Sequence, residues 1–438
     1  MEGSSRLLRR ISLSLAAFSL FVPPLMAQPA PAATLTLAQA EAAALVNQPR
    51  LLAAQQRARA AAEQIRESRS EYLPAVDFNA TGVQVADPDT ATAAGNITTS
   101  SISDRFAYGG NLAQLVTDFG RTSALIGQAR DRAAAQQDLA TLTRAQVRLN
   151  VREAYYQALG AEAVLRAAQA AESNRQLVAH QLSELAQSQL RSTLDVQFAE
   201  VLVNQAELAI VQATSLVAQD RAHLATTMGL TQPVAAALAD QTPGSDPLPP
   251  SADYLLPLAQ AQRADLQAAK ARQSAAQHFE TAERRLSYPR LNILAAAGQI
   301  PYHDYTLHDS YAAAGFNLNI PVLNGGLFKA ERSQAAHQAS ATAEDATQLR
   351  LEVSEQVRDA WYSASEAFQS IAVTARLVRT SKEALRLAQD RYNAGLGSIV
   401  ELNEAQLNET SAEINAADAV YTYLSRRAQL DYASGQLN

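Results

Sequence analysis

Proline placement constrains this chain more than any other feature. No proline occurs between Pro88 and Pro233, and none after Pro321. A proline inside a helix costs about 3 kcal/mol, so long proline-free stretches rich in Ala, Gln, Leu, Glu and Arg predict very long helices. From Arg121 to Gln189 the only glycines are Gly127 and Gly160, and from Phe328 to Ala394 there are none. Each stretch would extend on the order of 100 Å as helix. Helices of that length need coiled-coil or solenoid packing.

The two stretches are copies. Val151-Arg152-Glu153-Ala154-Tyr155-Tyr156 returns as Val357-Arg358-Asp359-Ala360-Trp361-Tyr362, 206 residues later. The same offset relates Gly120 to Gly326, Gln128-Ala129 to Gln334-Ala335, and Leu190-Arg191-Ser192 to Leu396-Gly397-Ser398. Upstream the offset is 215: Leu51 matches Leu266, Ala53-Ala54 matches Ala268-Ala269, and Pro74 matches Pro289. The first copy therefore carries nine more residues between Pro74 and Gly120. This is one tandem duplication, with a period far above those of solenoid repeats. We divide the chain into a signal peptide at 1–27, a first repeat at 28–241, a Pro/Gly/Ser-rich linker at 242–251 and a second repeat at 252–438.

Each repeat reads as helix, two strands, long helix, tight turn, helix. The first helix is expected from Thr36 to Glu71 and from Tyr254 to Leu286, stopped by Pro74 and Pro289. Val76, Phe78 and Ala80 then alternate with Asp77, Asn79 and Thr81, and Phe316, Leu318 and Ile320 with Asn317 and Asn319. Such period-two segments suit strands between lipid and a wet lumen. The alternation slips near Gly82 and Leu115, and polar loops are expected at Ala86–Asp104 and Pro301–Ser310. The two shorter helices of a repeat, about 36 residues each, sum to roughly one long helix, so end-to-end stacking beside it would give a wall of uniform height. Four strands cannot close a barrel, and an open edge in lipid is not viable. The chain must oligomerise, and three copies would supply twelve strands.

Composition narrows the chemistry. There are no cysteines, which excludes disulfides, thiolate metal sites and an N-terminal lipidated cysteine. A net charge of -7 without a long basic block gives no footprint for nucleic acid. Arg6, Arg9 and Arg10 followed by the apolar run Ile11–Val22 read as a secretory signal, cleaved after Ala27, with Ala30, Ala32 and Ala33 as later alternatives. Arg9-Arg10 has the pairing of a twin-arginine signal, a pairing common in ordinary n-regions. Past the signal no window holds about eighteen uninterrupted apolar residues, so any membrane crossing must be by strands. No phosphate loop, nucleophile elbow or nucleophile–histidine–acid arrangement is visible, which argues against an enzyme, and no cofactor is implied. His303, Asp304, His308 and Asp309 lack a third ligand set at fixed spacing and read as solvated loop residues. Tyr155, Tyr156, Trp361 and Tyr362 read as packing residues between helices.

Over essentially the whole mature chain the sequence resembles the TolC family of outer-membrane efflux proteins. Tyr392-Asn393-Ala394-Gly395 followed by Ser398-Ile399-Val400-Glu401-Leu402-Asn403-Glu404-Ala405 is similar to that family's helix-turn-helix at the periplasmic tip. Thr117-Asp118-Phe119-Gly120 and Leu323-Asn324-Gly325-Gly326 are similar to its strand-to-helix turns, and Asn47-Gln48-Pro49-Arg50-Leu51 to its first-helix signature. The resemblance implies a mainly α fold with a small transmembrane β-barrel portion: a long α-helical barrel of coiled-coil hairpins, four strands per protomer, in a homotrimer. It also implies an outer-membrane location reaching into the periplasm and contact with outer-membrane lipid. The expected partners are a periplasmic adaptor (membrane fusion) protein and, through it, an inner-membrane pump or ABC exporter, for tripartite efflux or type I secretion. Adaptor docking would fall on Ala394, Gly395 and Leu396 and on Ser188, Gln189 and Leu190.

By the same match Glu401 and Glu404 would form an acidic pore ring, and Asp195 with Tyr392 part of a closing latch. From the residues alone, Glu401 and Glu404 share a helix face and read equally as solvated surface. Gly397 departs from the family, because a basic latch residue stands there in its best-known member. Gly395 and Gly397 are both expected to supply positive φ in the turn. The first tip has no glycine, so the two tips are expected to differ in shape. The competing reading is a soluble periplasmic coiled-coil adaptor, which would carry one hairpin flanked by compact β-domains instead of two hairpins preceded by strand pairs.

Overall fold

The computed structural model describes residues 34–84, 104–241, 248–303 and 308–438. The expected signal peptide, most of the expected loop at Ala86–Asp104, most of the linker and Asp304 lie outside them.

Both long helices are present and equal in length. We label the elements in chain order: α1 (Leu37–Asn47), α2 (Pro49–Ser70), β1 (Ala75–Val83), β2 (Arg105–Thr117), α3 (Arg121–Gln187) and α4 (Thr193–Thr227). The second half repeats them as α5 (Ala252–Gln262), α6 (Ala264–Arg284), β3 (Arg290–His303), β4 (Ser310–Asn319), α7 (Leu327–Asn393) and α8 (Ile399–Ala433). α3 and α7 each span 67 residues, and α4 and α8 each span 35. All four boundaries of α3 and α4 recur 206 residues later. The turns into α3 and α7 also coincide: Phe119 and Gly120 have φ 53° and 90°, Gly325 and Gly326 64° and 87°. Asp118 holds the first of these turns, its carboxylate accepting from Gly120 N and from the amide and hydroxyl of Thr122.

The expected first helix is broken in both repeats. Gln48 (ψ 114°) separates α1 from α2, and Arg263 (ψ 121°) separates α5 from α6. Pro49 explains the first break, since the residue before a proline is pushed out of the helical region. No proline follows Arg263. There the break is held by tertiary contacts: buried Arg263 pairs with Asp265 (2.5 Å) and donates to Gln356 Oε1 (2.7 Å) and Ala433 O (3.4 Å). Gln48 does the matching work in the first repeat, donating from Nε2 to Thr227 O (2.9 Å), the carbonyl 206 residues before Ala433. The breaks thus lie where the C-terminal end of α4 or α8 abuts the start of the repeat, and the two shorter helices do stack along the long one.

The main core lies at this mid-height level. Ala40, Ala44 and Leu51 pack with Val147, Val151, Ala154, Tyr155 and Leu159 of α3 and with Leu224 of α4. Tyr155 is fully buried and donates its hydroxyl to Leu35 O and Ala239 O. Its repeat partner Trp361 donates Nε1 to Pro249 O (2.9 Å). Tyr156 is buried, whereas its equivalent Tyr362 is 62% exposed.

The four strands form one antiparallel sheet in the order β1-β2-β3-β4. β3 continues through Pro301 to His303, three residues into the expected loop. The register shift between Phe106 and Tyr108 leaves Pro301 in a bulge, where a missing N–H is tolerated. Side chains alternate across the sheet. Val76, Phe78, Leu112, Ile293, Phe316 and Leu318 share one face; Asp77, Asn79, Asn111, Asn292, Asn317 and Asn319 share the other.

Lateral order among the helices is unsymmetrical. α3 is flanked on one side by α2 and α4 and on the other by α6 and α8, whereas α7 packs along its length against α5, α6 and α8 and meets α4 at the tip, through Tyr392 and Asp195. α3 consequently buries 22 of its residues and α7, of equal length, only 10. The free flank of α7 leaves Leu351, Tyr362, Val373, Leu377 and Leu387 exposed. At the opposite edge α4 exposes Leu194, Val201 and Leu208, spaced by heptads. Among the described residues α4 is also the one helix long and apolar enough by composition to cross a membrane. Only 17% of that apolar window is buried, so packing beside α3 covers little of it within one chain.

Candidate functional site

The two helix-helix turns lie together at one end of the bundle, at Ser188–Ser192 and Ala394–Ser398. Their backbones match, contrary to the expectation from glycine content. Gln189 takes φ 60° where Gly395 takes 73°. Leu190 N donates to Leu185 O and Leu396 N to Arg391 O, both at 2.9 Å, closing each long helix with the same capping motif. Ser192 and Ser398 then cap the outgoing helices, their hydroxyls accepting from Leu194 N (3.1 Å) and Glu401 N (3.2 Å). Gly397 does not have positive φ. Its lack of a side chain serves space instead, because a Cβ there would stand 3.2 Å from Tyr392 N and 3.3 Å from Glu401 Oε2.

The hairpins are joined by an apolar seam of Leu182, Ala199, Ala388, Tyr392, Ile399 and Leu402. Inside it Tyr392 is 4% exposed and donates its hydroxyl to Asp195 Oδ2 at 2.9 Å. Burial, and next the bond to Asp195, push the Tyr392 hydroxyl up to about 12, so it remains a donor at any physiological pH. Arg191 completes the contact. Its guanidinium lies 4.2 Å from the centre of the Tyr392 ring, and its Nη2 donates to Tyr392 O at 2.6 Å. A cation over an aromatic face adds about 0.5–2 kcal/mol, depending on desolvation. Arg191 is the repeat equivalent of Gly397. A cation is thus absent from position 397 and present at the equivalent position of the other hairpin, where it stacks on Tyr392. That residue was not singled out from the sequence, although the matched triplets 190–192 and 396–398 held the signal.

Glu401 and Glu404 are both exposed, on one face of α8. Their surroundings differ. Arg391 Nε stands 3.2 Å from Glu401 Oε1, whereas Glu404 has no ion-pair partner among the described residues. The Arg391 pair is half-exposed and worth about 0–1 kcal/mol. Three turns from the tip, buried Arg175 ties the hairpins again, donating to Leu202 O of α4 (3.0 Å) and Thr410 Oγ1 of α8 (3.2 Å). Glu409 lies beside it, its carboxyl raised by burial and by Glu413, while Lys382 pairs with Glu413 at 2.6 Å.

Elsewhere, His303 Nε2 and Asp309 Oδ1 are 2.9 Å apart and His308 is exposed. No group of three or more His, Asp or Glu with metal-holding geometry stands among the described residues.

With this architecture in view, the match to known proteins is informative: the profile of the outer membrane efflux protein family covers residues 42–230 and 255–436, most of both repeats. The chain belongs to that family. The solvent efflux pump outer membrane protein SrpC of Pseudomonas putida is 26% identical over 377 residues, covering 81% of this chain and 78% of its own. The efflux-family fold is also that of two solved structures. The outer membrane protein VceC of Vibrio cholerae superposes with a TM-score of 0.78 at 18% identity, covering 91% of this chain and 96% of that one. CusC superposes at 0.79 and 19% identity, covering 91% and 92%.

Proposed function

We propose that this chain is one protomer of a trimeric outer-membrane exit duct, passive in itself and driven by an inner-membrane transporter through a periplasmic adaptor. Family membership supports the class. The observation that carries the assembly is the unfinished repeat order. Within the chain, the first repeat's long helix is covered on its far side by the second repeat's short helices. α7 needs the same cover, and among the described residues no further helices give it. The α2 and α4 edge of a sister chain is the surface with the matching pseudo-symmetry, and its heptad row Leu194, Val201, Leu208 supplies apolar knobs. The sheet is open in the same sense: β1 and β4 are unpaired edges, and β4 against a neighbour's β1 would close it. The apolar face bearing Phe78 and Phe316 would then meet lipid, and the asparagine face the lumen.

In this reading residues 1–27 direct export and are removed, and 28–241 and 252–438 are the two repeats joined by 242–251. The tips at Ser188, Gln189, Leu190 and at Ala394, Gly395, Leu396 would meet the adaptor. Asp195, Tyr392 and Arg191 would hold the two hairpins together in the closed state. Glu401 and Glu404 would ring the mouth, concentrating cations and repelling anions. Because Arg391 partly neutralises Glu401, Glu404 would carry the larger share. The test is ion selectivity in planar bilayers. The wild type should be cation-selective, the Glu401→Ala, Glu404→Ala double variant less so, and Glu404→Ala alone should account for most of the loss. Unchanged selectivity in the double variant would move the ring elsewhere, and absence of any conductance in all forms, even with the tip loosened by Tyr392→Phe, would sink the duct.

A further inference from the structure

Where the sheet meets the helices, three arginines line a cavity of about 550 Å3 that the duct reading leaves unused. Arg121 begins α3, Arg285 follows α6, and Arg290 begins β3. Asn292, Asn317 and Asn319 complete the lining together with Tyr288. Register sets the side on which it opens. Arg290 pairs with Asn319 and Asn292 with Asn317, on the polar face, whereas the intervening pairs Leu291–Leu318 and Ile293–Phe316 lie on the apolar face.

The guanidiniums are under-used. Arg121 stands 3.7 Å from Glu283 and Arg290 3.8 Å from Glu71, both beyond hydrogen-bond reach. Nε of Arg121 is buried without a hydrogen-bond partner. Arg285 is held by one short bond, from Nη1 to Gly120 O at 2.6 Å. The one carboxylate in the lining, Asp118, is buried and already accepts from Gly120 N and Thr122. Three forked donors therefore line the cavity with one carboxylate, Asp118, whose oxygens are engaged, while Glu283 and Glu71 offset the charge of Arg121 and Arg290 from outside the lining.

We propose that this cavity binds an oxyanion, the phosphate or carboxylate group of a solute. Guanidinium forks match such groups bidentately, and the asparagine amides and Tyr288 hydroxyl offer neutral donors to the remaining oxygens. The opening on the polar face selects a dissolved solute over a lipid headgroup, whose acyl chains need the opposite face. The placement of the site in the conduit rests on the duct reading; the binding itself does not. In a trimer each chain would contribute its own cluster, giving a basic collar opposite in sign to the acidic ring at the tips.

Calorimetric titration of inorganic phosphate into the full chain, in an uncharged detergent at low ionic strength, tests it. The wild type should bind saturably. The Arg121→Gln, Arg290→Gln double variant should bind about tenfold more weakly, losing two of three forks. Arg284→Gln should bind as the wild type does, since Arg284 pairs with Glu280 outside the cavity. Arg290 is half-exposed, so Arg290→Gln alone keeps the test decisive if the double variant fails to fold; it should bind several-fold more weakly. No saturable binding by the wild type, or wild-type affinity in Arg290→Gln, overturns the proposal. Phosphate binding by a protein that passes no current would sink the duct and keep the site, and current without phosphate binding would do the reverse.

Discussion

Position 189 illustrates what a single residue can be made to do by its neighbours. Gln189 adopts a left-handed conformation that costs a residue with a Cβ about 1–2 kcal/mol, in a turn whose duplicate uses glycine. The turn forms anyway because the helices on both sides are fixed by their seam, and because Leu190 N and Leu396 N close equivalent bonds. Gln189→Gly should therefore strengthen the first tip and Gly395→Ala weaken the second, by about 1 kcal/mol each. Hydrogen exchange of the Leu190 and Leu396 amides reads both; equal protection in wild type and variants would show the strain to be absent. The same pairing of positions explains the contact that joins the hairpins. Glycine at 397 leaves room for the Arg391–Glu401 pair, and Arg191, its counterpart, stacks on Tyr392. A Tyr392→Phe variant keeps that stacking and the apolar seam and loses the bond to Asp195, so its closed state should leak more current than the wild type in bilayers.

Among the elements, the seam between the hairpins carries a titration of its own. The Glu409 carboxyl on α8 is raised above 4.5 by burial and by Glu413, with Lys382 of α7 and Arg175 of α3 pulling the other way. A carboxyl raised in the folded state binds its proton more tightly there than in the unfolded chain. Its contribution is complete below the unfolded value and is lost as pH rises through the folded one. The melting temperature of the wild type should fall relative to that of Glu409→Gln as pH rises from 4.5 to neutrality. Parallel melting profiles of the two proteins would remove Glu409 from the seam. Helix breaks belong to this scale as well. Pro49 announces the first in the sequence, whereas the break at Arg263 is dictated by a buried guanidinium reaching α6, α7 and the end of α8.

For the whole molecule, the decisive property is incompleteness. A chain that buries 22 residues of one long helix and only 10 of its copy has an exposed flank of its own design, and a sheet with two free edges repeats the message. We expect the detergent-solubilised protein to have about three times the protomer mass by native mass measurement. The absence of native cysteines allows a single cysteine placed in β1 and another in β4 to report the contact, by forming disulfides between chains and never within one. A stable water-soluble monomer would contradict both expectations and restore the adaptor reading.

The sequence alone determined the architecture, because its strongest signals are local or translational. Absent prolines set two helices of equal length, the 206-residue offset set their duplication, and alternation of Phe and Asn set the sheet and its two faces. It did not determine what depends on contacts between distant segments. The break at Arg263, the meeting of Arg191 with Tyr392 and the arginine-lined cavity each join residues far apart in the chain, and their side chains carry no periodic mark. Periodicity records which face of an element is buried; only packing decides which neighbour buries it, and the polar contacts follow from that choice.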